Sequence, residues 1–136
     1  MIRIREVDHI VLRVRELQPM LDFYCQVLGC SVERQQDEIG LVQLRAGRSL
    51  LGLIPADGPL GRAGSASPAA SARNLDHLCL RVEPFDEPAL RAHLAAHGIT
   101  AGETASRCGA EGSGPSIYIA DPEGNTIELK GPPWSR

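Results

Sequence analysis

The chain has 136 residues, of which 43% are hydrophobic and 23% charged, and its formal net charge is −3. This length suits one domain with its own core, and the mild negative charge excludes the basic surface that nucleic-acid binding requires. The first residues mix arginine and glutamate with apolar side chains, so no signal peptide is predicted, and no stretch reaches the roughly 20 apolar residues that span a bilayer. We therefore expect a protein without nucleic-acid or membrane partners.

The first half of the chain predicts a strand, a helix and three further strands. Residues 7–14 alternate between apolar and polar side chains, as a half-buried strand does. Apolar side chains then recur at helical spacing from Leu17 to Leu28, and Gly29 is a stop signal for that helix. Further strands are expected at 30–35, 40–45 and 49–54.

Residues 55–74 are rich in Gly, Pro, Ala and Ser and show no period. This composition is typical of a mobile linker, either a connector between half-domains or a flap over a site. The predicted organisation is a single domain, residues 1–136, with a first module at about 5–54 and a second module at about 75–130. A short tail at 131–136 follows the second module.

The second half of the chain repeats this order of elements. A strand is expected at 75–82, a helix at 87–97, and strands at 99–104, 117–120 and 126–130. The sequence DHIVLRV, beginning at Asp8, returns as DHLCLRV at Asp76. The predicted fold class is therefore α+β, with two paired β-α-β-β-β modules whose curved mixed sheets surround a trough.

Two histidines occupy equivalent positions in the two repeats. His9 and His77 each lie on the strand face opposite the helix, and aligning SLLGLI with NTIELK places Gly52 opposite Glu128. Two imidazoles and one carboxylate suit Fe²⁺, Mn²⁺, Zn²⁺, Ni²⁺ or Co²⁺ and leave coordination positions open for water or substrate. The alternative is a pair of ordinary strand histidines and a solvated Glu128–Lys130 pair.

The sequence resembles the vicinal oxygen chelate superfamily, which includes glyoxalase I, fosfomycin-resistance proteins, bleomycin-binding proteins and extradiol dioxygenases. The matching stretches are VDHIVLRV from Val7, LDFYCQVLG from Leu21, LDHL from Leu75 and YIADPEGNTIEL from Tyr118. The resemblance implies one divalent metal ion per site, held at the positions of His9, His77 and Glu128. It also implies a homodimer whose trough combines the first module of one chain with the second module of the other.

The comparison with glyoxalase I implies roles for two further positions. Arg13, four residues after His9, corresponds to an arginine that contacts a substrate carboxylate. Glyoxalase I has a second glutamate where this chain has Gly52, which would leave Glu128 to act as both metal ligand and base, or leave the proton transfer to a bound hydroxide.

Two residues near the end of the second module are further candidates. Extradiol dioxygenases place a tyrosine ten residues before the glutamate, as Tyr118 is placed here, and it is a candidate catalytic hydrogen-bond donor. Arg107 begins the segment RCGAEGSGPS, which resembles a segment of small bacterial glyoxalase-like proteins. It is a candidate anion contact, with a solvated loop arginine as the alternative.

The remaining histidines and the cysteines are expected to have structural roles. His93 and His97 are four residues apart on the predicted helix, and we interpret them as helix-surface residues. Cysteines at 25, 30, 79 and 108 form no C-x-x-C pair, so reduced thiols in a cytoplasmic protein are favoured over zinc ligands.

The sequence leaves three functional hypotheses. The first is a divalent-metal-dependent, glyoxalase-like lyase or isomerase acting on a small anionic substrate with adjacent oxygens. The second is an Fe²⁺-dependent extradiol-type dioxygenase. The third is a non-catalytic protein of the same fold that binds a small molecule.

Overall fold

The computed structural model describes residue 1 and residues 3–63 and 75–135. The chain divides into two compact units, Met1–Ala72 and Arg73–Arg136, and each contains one four-stranded mixed sheet. Each unit has the order β-α-β-β-β that the repeat predicts. The α+β class is therefore confirmed.

In the first unit the outer strand β1 pairs in parallel with the last strand, β4, and the other neighbours are antiparallel. The sheet order is β1-β4-β3-β2. The elements are β1 (His9–Val14), α1 (Leu17–Asp22), a π-helical segment (Phe23–Val27), β2 (Ser31–Gln36), β3 (Leu41–Ala46), β4 (Ser49–Pro55) and α2 (Pro59–Ala63).

Alternation along β1 separates the core of the first unit from the opposite face of the sheet. Leu12 and Val14 are buried, whereas His9 and Val11 are exposed. The helical segment contributes Met20, Phe23 and Tyr24 to the buried set. The predicted period-two pattern thus leaves the histidine on the face that is not part of the core.

The second unit has the same topology, in the order β5-β8-β7-β6 with β5 parallel to β8. Its elements are β5 (Leu78–Arg81), α3 (Glu87–Ala96), β6 (Ala105–Arg107), β7 (Gly114–Ala120) and β8 (Thr126–Lys130). Helix α3 begins after Asp86, whose carboxylate accepts a hydrogen bond from the Ala89 N–H at 3.2 Å, as an N-cap residue does.

The turn between β7 and β8 is held by the buried carboxylate of Asp121. Its Oδ1 accepts hydrogen bonds from the N–H groups of Glu123 and Asn125, both at 2.9 Å. Its Oδ2 accepts a bond from the Asn125 side-chain amide at 2.7 Å. Gly124 takes a positive φ of 82°, which glycine adopts without strain. This turn fixes the position of β8.

Two expectations for secondary structure were wrong. Residues 59–63 of the expected linker form helix α2, which begins at Pro59, where a fixed φ favours the first helical turn. Helix α2 is too short to give a periodic signal, and residues 64–74 of that linker lie outside the described residues. The strand expected at 99–104 does not form: the Gly102 N–H donates to the Tyr118 carbonyl, and its own carbonyl accepts from Arg91.

Candidate functional site

The strand registers place Gly52 and Glu128 at equivalent positions in the two sheets. Val11 lies opposite Gly52 in the β1–β4 pair, and Cys79 lies opposite Glu128 in the β5–β8 pair. These are the second strand positions after His9 and after His77. The carboxylate therefore occurs in the second unit alone, and in the first unit the Val11 side chain leans over the glycine.

Both histidines are held in the same way by the preceding aspartate. The Nδ1 atom of His9 is 2.7 Å from Asp8 Oδ1, and the Nδ1 atom of His77 is 2.7 Å from Asp76 Oδ2. A carboxylate that accepts a hydrogen bond from Nδ1–H favours the tautomer whose Nε2 lone pair can bind a metal ion. Metal-bound histidines carry this arrangement.

The Glu128 carboxylate is buried on the pocket face of β8. Its Oε1 atom is 3.1 Å from His77 Nε2, and the residue is 4% exposed. Its Oε2 atom is buried and accepts no hydrogen bond from any residue that the structure describes. An unsatisfied carboxylate oxygen in such a position costs free energy unless a cation or a proton compensates it. One buried oxygen of Glu128 is thus left without a hydrogen bond from the described residues.

The thiol of Cys79 lies beside this carboxylate. Partial burial of the thiol, followed by the negative charge and hydrogen bonding of Glu128, raises the pKa of Cys79 to about 11. The nearby Lys130 ammonium opposes this rise without cancelling it. The thiol is therefore protonated at neutral pH and can donate a hydrogen bond to the carboxylate.

These groups open into a pocket of about 270 Å³ that lies within the second unit. Its floor is the polar face of β5 and β8, and its opposite wall is the segment 108–111, which follows β6 directly. The lining residues are His77, Cys79, Arg81, Cys108, Gly109, Ala110, Glu111, Glu128 and Lys130.

The Tyr118 ring lies between a guanidinium and an imidazole. The Cζ atom of Arg107 is 4.3 Å from the ring centroid, and the His77 ring meets Tyr118 edge-on, at 5.5 Å between centroids and 75° between planes. The Arg107 Nη1 atom also donates to the carbonyl and the hydroxyl of Ser116, at 2.7 and 2.9 Å. Arg107 ends strand β6 and is half-buried, so it is not the solvated loop arginine considered as the alternative. The Tyr118 ring packs against His77.

The other predicted positions are spread over both units. Arg13 lies in the first unit, where its Nη2 atom donates to the Gly61 carbonyl of α2 at 2.9 Å. His93 and His97 lie on α3 with ring centroids 4.8 Å apart. The structure thus brings His77, Glu128, Tyr118 and Arg107 together within one sheet.

The second unit brings together two side chains of the kinds that metal ions prefer. An aspartate-held imidazole and a buried carboxylate with an unsatisfied oxygen are the kinds of ligand that divalent transition metals prefer. Across residues 1, 3–63 and 75–135, no group of three or more His, Cys, Asp or Glu side chains is suited to hold a metal ion. His77 and Glu128 are thus chemically suited to a metal ion, but the described residues place no third such donor beside them.

Sequence reasoning assigned one lining residue, Lys130, to the wrong environment. The solvated Glu128–Lys130 pair, considered as an alternative, is not formed, because both residues are only 4% exposed. A lysine at a strand end ordinarily indicates solvent exposure, so the residue type predicted an exposed side chain where the structure has a buried one. The available signal was its rarity: the chain has thirteen arginines and this single lysine.

Comparison with known proteins identifies the family. The model of the glyoxalase/bleomycin resistance protein/dioxygenase superfamily matches residues 6–129, and the chain belongs to this superfamily. The catechol-2,3-dioxygenase of Bacillus subtilis (strain 168) is 30% identical over 133 residues, which are 95% of this chain and 43% of that protein. The chain thus spans less than half the length of this relative.

Two solved structures share the fold over nearly their whole length. An integron cassette protein from the mobile metagenome of V. cholerae is 26% identical, with a TM-score of 0.76, and the match covers 96% of this chain and 98% of that one. A virulence protein from Salmonella typhimurium is also 26% identical, with a TM-score of 0.74 and coverage of 96% and 99%. Within the described residues, no helix has the length and apolar character needed to cross a membrane.

Proposed function

We propose that the protein is a divalent-metal-dependent enzyme that acts on a small anionic substrate with two adjacent oxygens, as a glyoxalase-like lyase or isomerase. The observation that carries this proposal is the buried Glu128 Oε2, which has no partner among the described residues and lies in a pocket beside the aspartate-held His77. Burial of a carboxylate oxygen without a hydrogen bond is costly, and a cation bound at that oxygen would offset the cost.

In this proposal His9, His77 and Glu128 hold the ion, with His9 included because the repeat gives it the same aspartate partner as His77. A bound Ni²⁺, Zn²⁺, Fe²⁺, Mn²⁺ or Co²⁺ ion would supply Lewis-acid stabilisation of negative charge on adjacent substrate oxygens. Glu128 also accepts the substrate proton in the isomerase reaction. The first unit has Gly52 at the equivalent position and so offers no second carboxylate that could act as the base.

The remaining candidates have supporting roles. Tyr118 holds the His77 ring in place and offers its hydroxyl as a hydrogen-bond donor. Arg13 and Arg107 remain candidate anion contacts, since a guanidinium has five N–H donors and those of Arg107 that bond Ser116 leave others available. We further propose a cytoplasmic homodimer in which the site combines units of two chains.

A second candidate is Fe²⁺-dependent extradiol cleavage of an aromatic ring. It is favoured by the 30% identity to a protein named catechol-2,3-dioxygenase. Two histidines and one carboxylate are also the ligand set of non-haem Fe²⁺ oxygenases, which need no second carboxylate at the position of Gly52. Oxygen consumption with catechol under Fe²⁺ would identify this reaction, whereas an isomerase or lyase turns over without O₂.

The first experiment measures metal content. The full chain and a His9→Ala/Glu128→Ala variant are each loaded with Fe²⁺, Mn²⁺, Ni²⁺ or Zn²⁺, desalted, and analysed by mass spectrometry of the metal. A His93→Ala/His97→Ala variant is the matched control, because it removes the helix-surface histidines that could hold an ion loosely.

We expect about one ion per chain in the parent and in the control, and a loss in the His9/Glu128 variant. Equal, negligible content in all three proteins would contradict the metalloenzyme and favour a small-molecule binding protein.

A further inference from the structure

We propose that Lys130 binds a carboxylate of the substrate at the end of the pocket away from His77. This inference rests on the proposed function in one respect, the binding of the substrate's adjacent oxygens by a metal ion near His77 and Glu128. The inference adds the class of substrate: a small molecule with a pair of adjacent oxygens at one end and a carboxylate at the other.

Lys130 is a buried cation that makes no direct ion pair among the described residues, with the Glu128 carboxylate two residues away on the same strand face. Its ammonium donates one hydrogen bond, to the Gly112 carbonyl at 2.9 Å, and it forms no ion pair with any residue that the structure describes. An ammonium has three N–H donors, so two remain for a ligand. A charge buried with a single neutral acceptor is costly, and a ligand anion would offset that cost.

The stem of Lys130 is held in place by the segment that walls the pocket. Gly109 lies against it so closely that an added Cβ would be 2.7 Å from Cε and 3.2 Å from Nζ. Any larger residue at 109 would have to displace the lysine. The ammonium is therefore placed at the pocket wall by its neighbours and keeps little of the freedom that a surface lysine has.

The other cation that lines the pocket is already engaged. Arg81 donates through Nε to Glu111 at 2.7 Å and through Nη2 to Glu83 at 3.2 Å, so two carboxylates share its charge. Arg107 keeps donors beyond those that bond Ser116, but it does not line this pocket. Lys130 is thus the pocket-lining cation with capacity for an anion.

The spacing along β8 sets the size of the ligand. Glu128 and Lys130 are two residues apart on one strand and point to the same face, which separates their Cα atoms by about 7 Å. The pocket, at about 270 Å³, is at or below the lower end of the usual range for small-molecule sites, roughly 300–1,000 Å³. A chain of about five carbons spans the distance and fits the volume.

The test uses two probe ligands that differ in one group. The probe 2-oxoglutarate has an oxo-carboxylate end with adjacent oxygens and a distal carboxylate, whereas 2-oxopentanoate has the same chain without the distal carboxylate. Calorimetric titration of the Mn²⁺-loaded full chain should show at least tenfold tighter binding of 2-oxoglutarate. Lys130→Gln, which keeps a donor for the Gly112 carbonyl but no charge, should remove this preference and leave 2-oxopentanoate affinity unchanged.

Arg81→Gln is the matched control, and it should change the preference by less than twofold. A parent that binds both probes equally, or binds neither after taking up metal, overturns the inference while the metal function stands. So does a preference that survives Lys130→Gln or disappears in Arg81→Gln.

A metal-free measurement separates the two proposals. Because Lys130 is the single lysine, protein labelled with ¹³C-lysine gives one side-chain Cε signal that reports on this residue alone. Titration with glutarate should shift that signal in a saturable way. If the chain takes up no metal, the proposed function fails, and an unshifted lysine signal then overturns the inference as well.

Discussion

The Nε2 atom of His77 lies 3.1 Å from Oε1 of Glu128, and this contact leaves the buried Oε2 atom of the carboxylate without a hydrogen bond from the described residues. His77 immediately precedes β5, and Glu128 lies on the neighbouring strand β8. Their proximity is therefore a property of the second unit alone. It follows that two of the three proposed ligands are brought together by local strand pairing.

Replacement of Glu128 by glutamine should separate stability from metal binding. Glu128→Gln removes a buried charge with an unsatisfied oxygen, so we expect the metal-free protein to gain about 1 kcal/mol in unfolding free energy. Metal uptake should disappear, because a neutral amide is a poor ligand for these ions. Urea unfolding and metal analysis of the same preparations measure both effects, and a destabilised apo variant would contradict the assigned cost of the buried carboxylate.

Loss of the aspartate behind His77 should weaken the metal site without disturbing the fold. Asp76 is 96% exposed, so Asp76→Ala should change unfolding free energy by no more than about 0.5 kcal/mol. Metal affinity should fall roughly 10- to 100-fold, because the imidazole loses the partner that fixes its tautomer. Competition with a chelating dye measures this change, with Glu103→Ala as an exposed-carboxylate control that should retain parental affinity.

Substitutions of Tyr118 should distinguish its ring from its hydroxyl. Tyr118→Phe keeps the ring between Arg107 and His77, so metal content and stability should match the parent, and any loss would appear in substrate turnover. Tyr118→Leu removes both aromatic contacts and should cost about 1–2 kcal/mol in unfolding free energy. Thermal unfolding of the two variants distinguishes the ring from the hydroxyl. Equal losses of stability in both would mean that the hydroxyl, and not the ring, stabilises the protein.

The turn before β8 should be a concentrated source of stability. Asp121→Ala leaves the N–H groups of Glu123 and Asn125 without their carboxylate acceptor, and we expect a loss of about 2–3 kcal/mol in unfolding free energy. Asp121→Asn, which keeps an acceptor but loses the charge, should show a smaller loss. Denaturant titration of the two variants tests the order, and equal small losses would mean that Gly124 and the strands hold the turn unaided.

Much of the fold could be predicted because local chemistry and tertiary structure agree. The turn at 121–125 joins a run of turn-forming residues to two apolar strands, and the structure has that turn. At 99–104 local and tertiary signals diverge. The apolar residues there suggested a strand, but Gly102 is bonded by Arg91 and Tyr118 from separate elements, and no spacing in the sequence reveals such contacts.

The residues of the candidate site that could be predicted are those that the internal repeat places at equivalent positions. Equivalence of the two DH sequences singled out His9 and His77, and the alignment of the last strands singled out Glu128 in preference to Gly52. Burial of Lys130 could not be predicted, because it depends on the segment around Gly109 covering a strand end. Residue type alone predicts an exposed lysine, and tertiary packing overrides it.

The alternation along β8 has a consequence for how the length of the chain can vary. Ile127 and Leu129 face the core, while Glu128 and Lys130 face the pocket. Deleting one residue from the turn at 121–125 would shift the register of β8 by one residue. Ile127 and Leu129 would then face the pocket, and Glu128 and Lys130 would face the core. Insertions and deletions in this turn should therefore be tolerated only in steps of two residues. The loop before β6 should accept changes of one residue, because it does not set which side chains of β8 face the pocket.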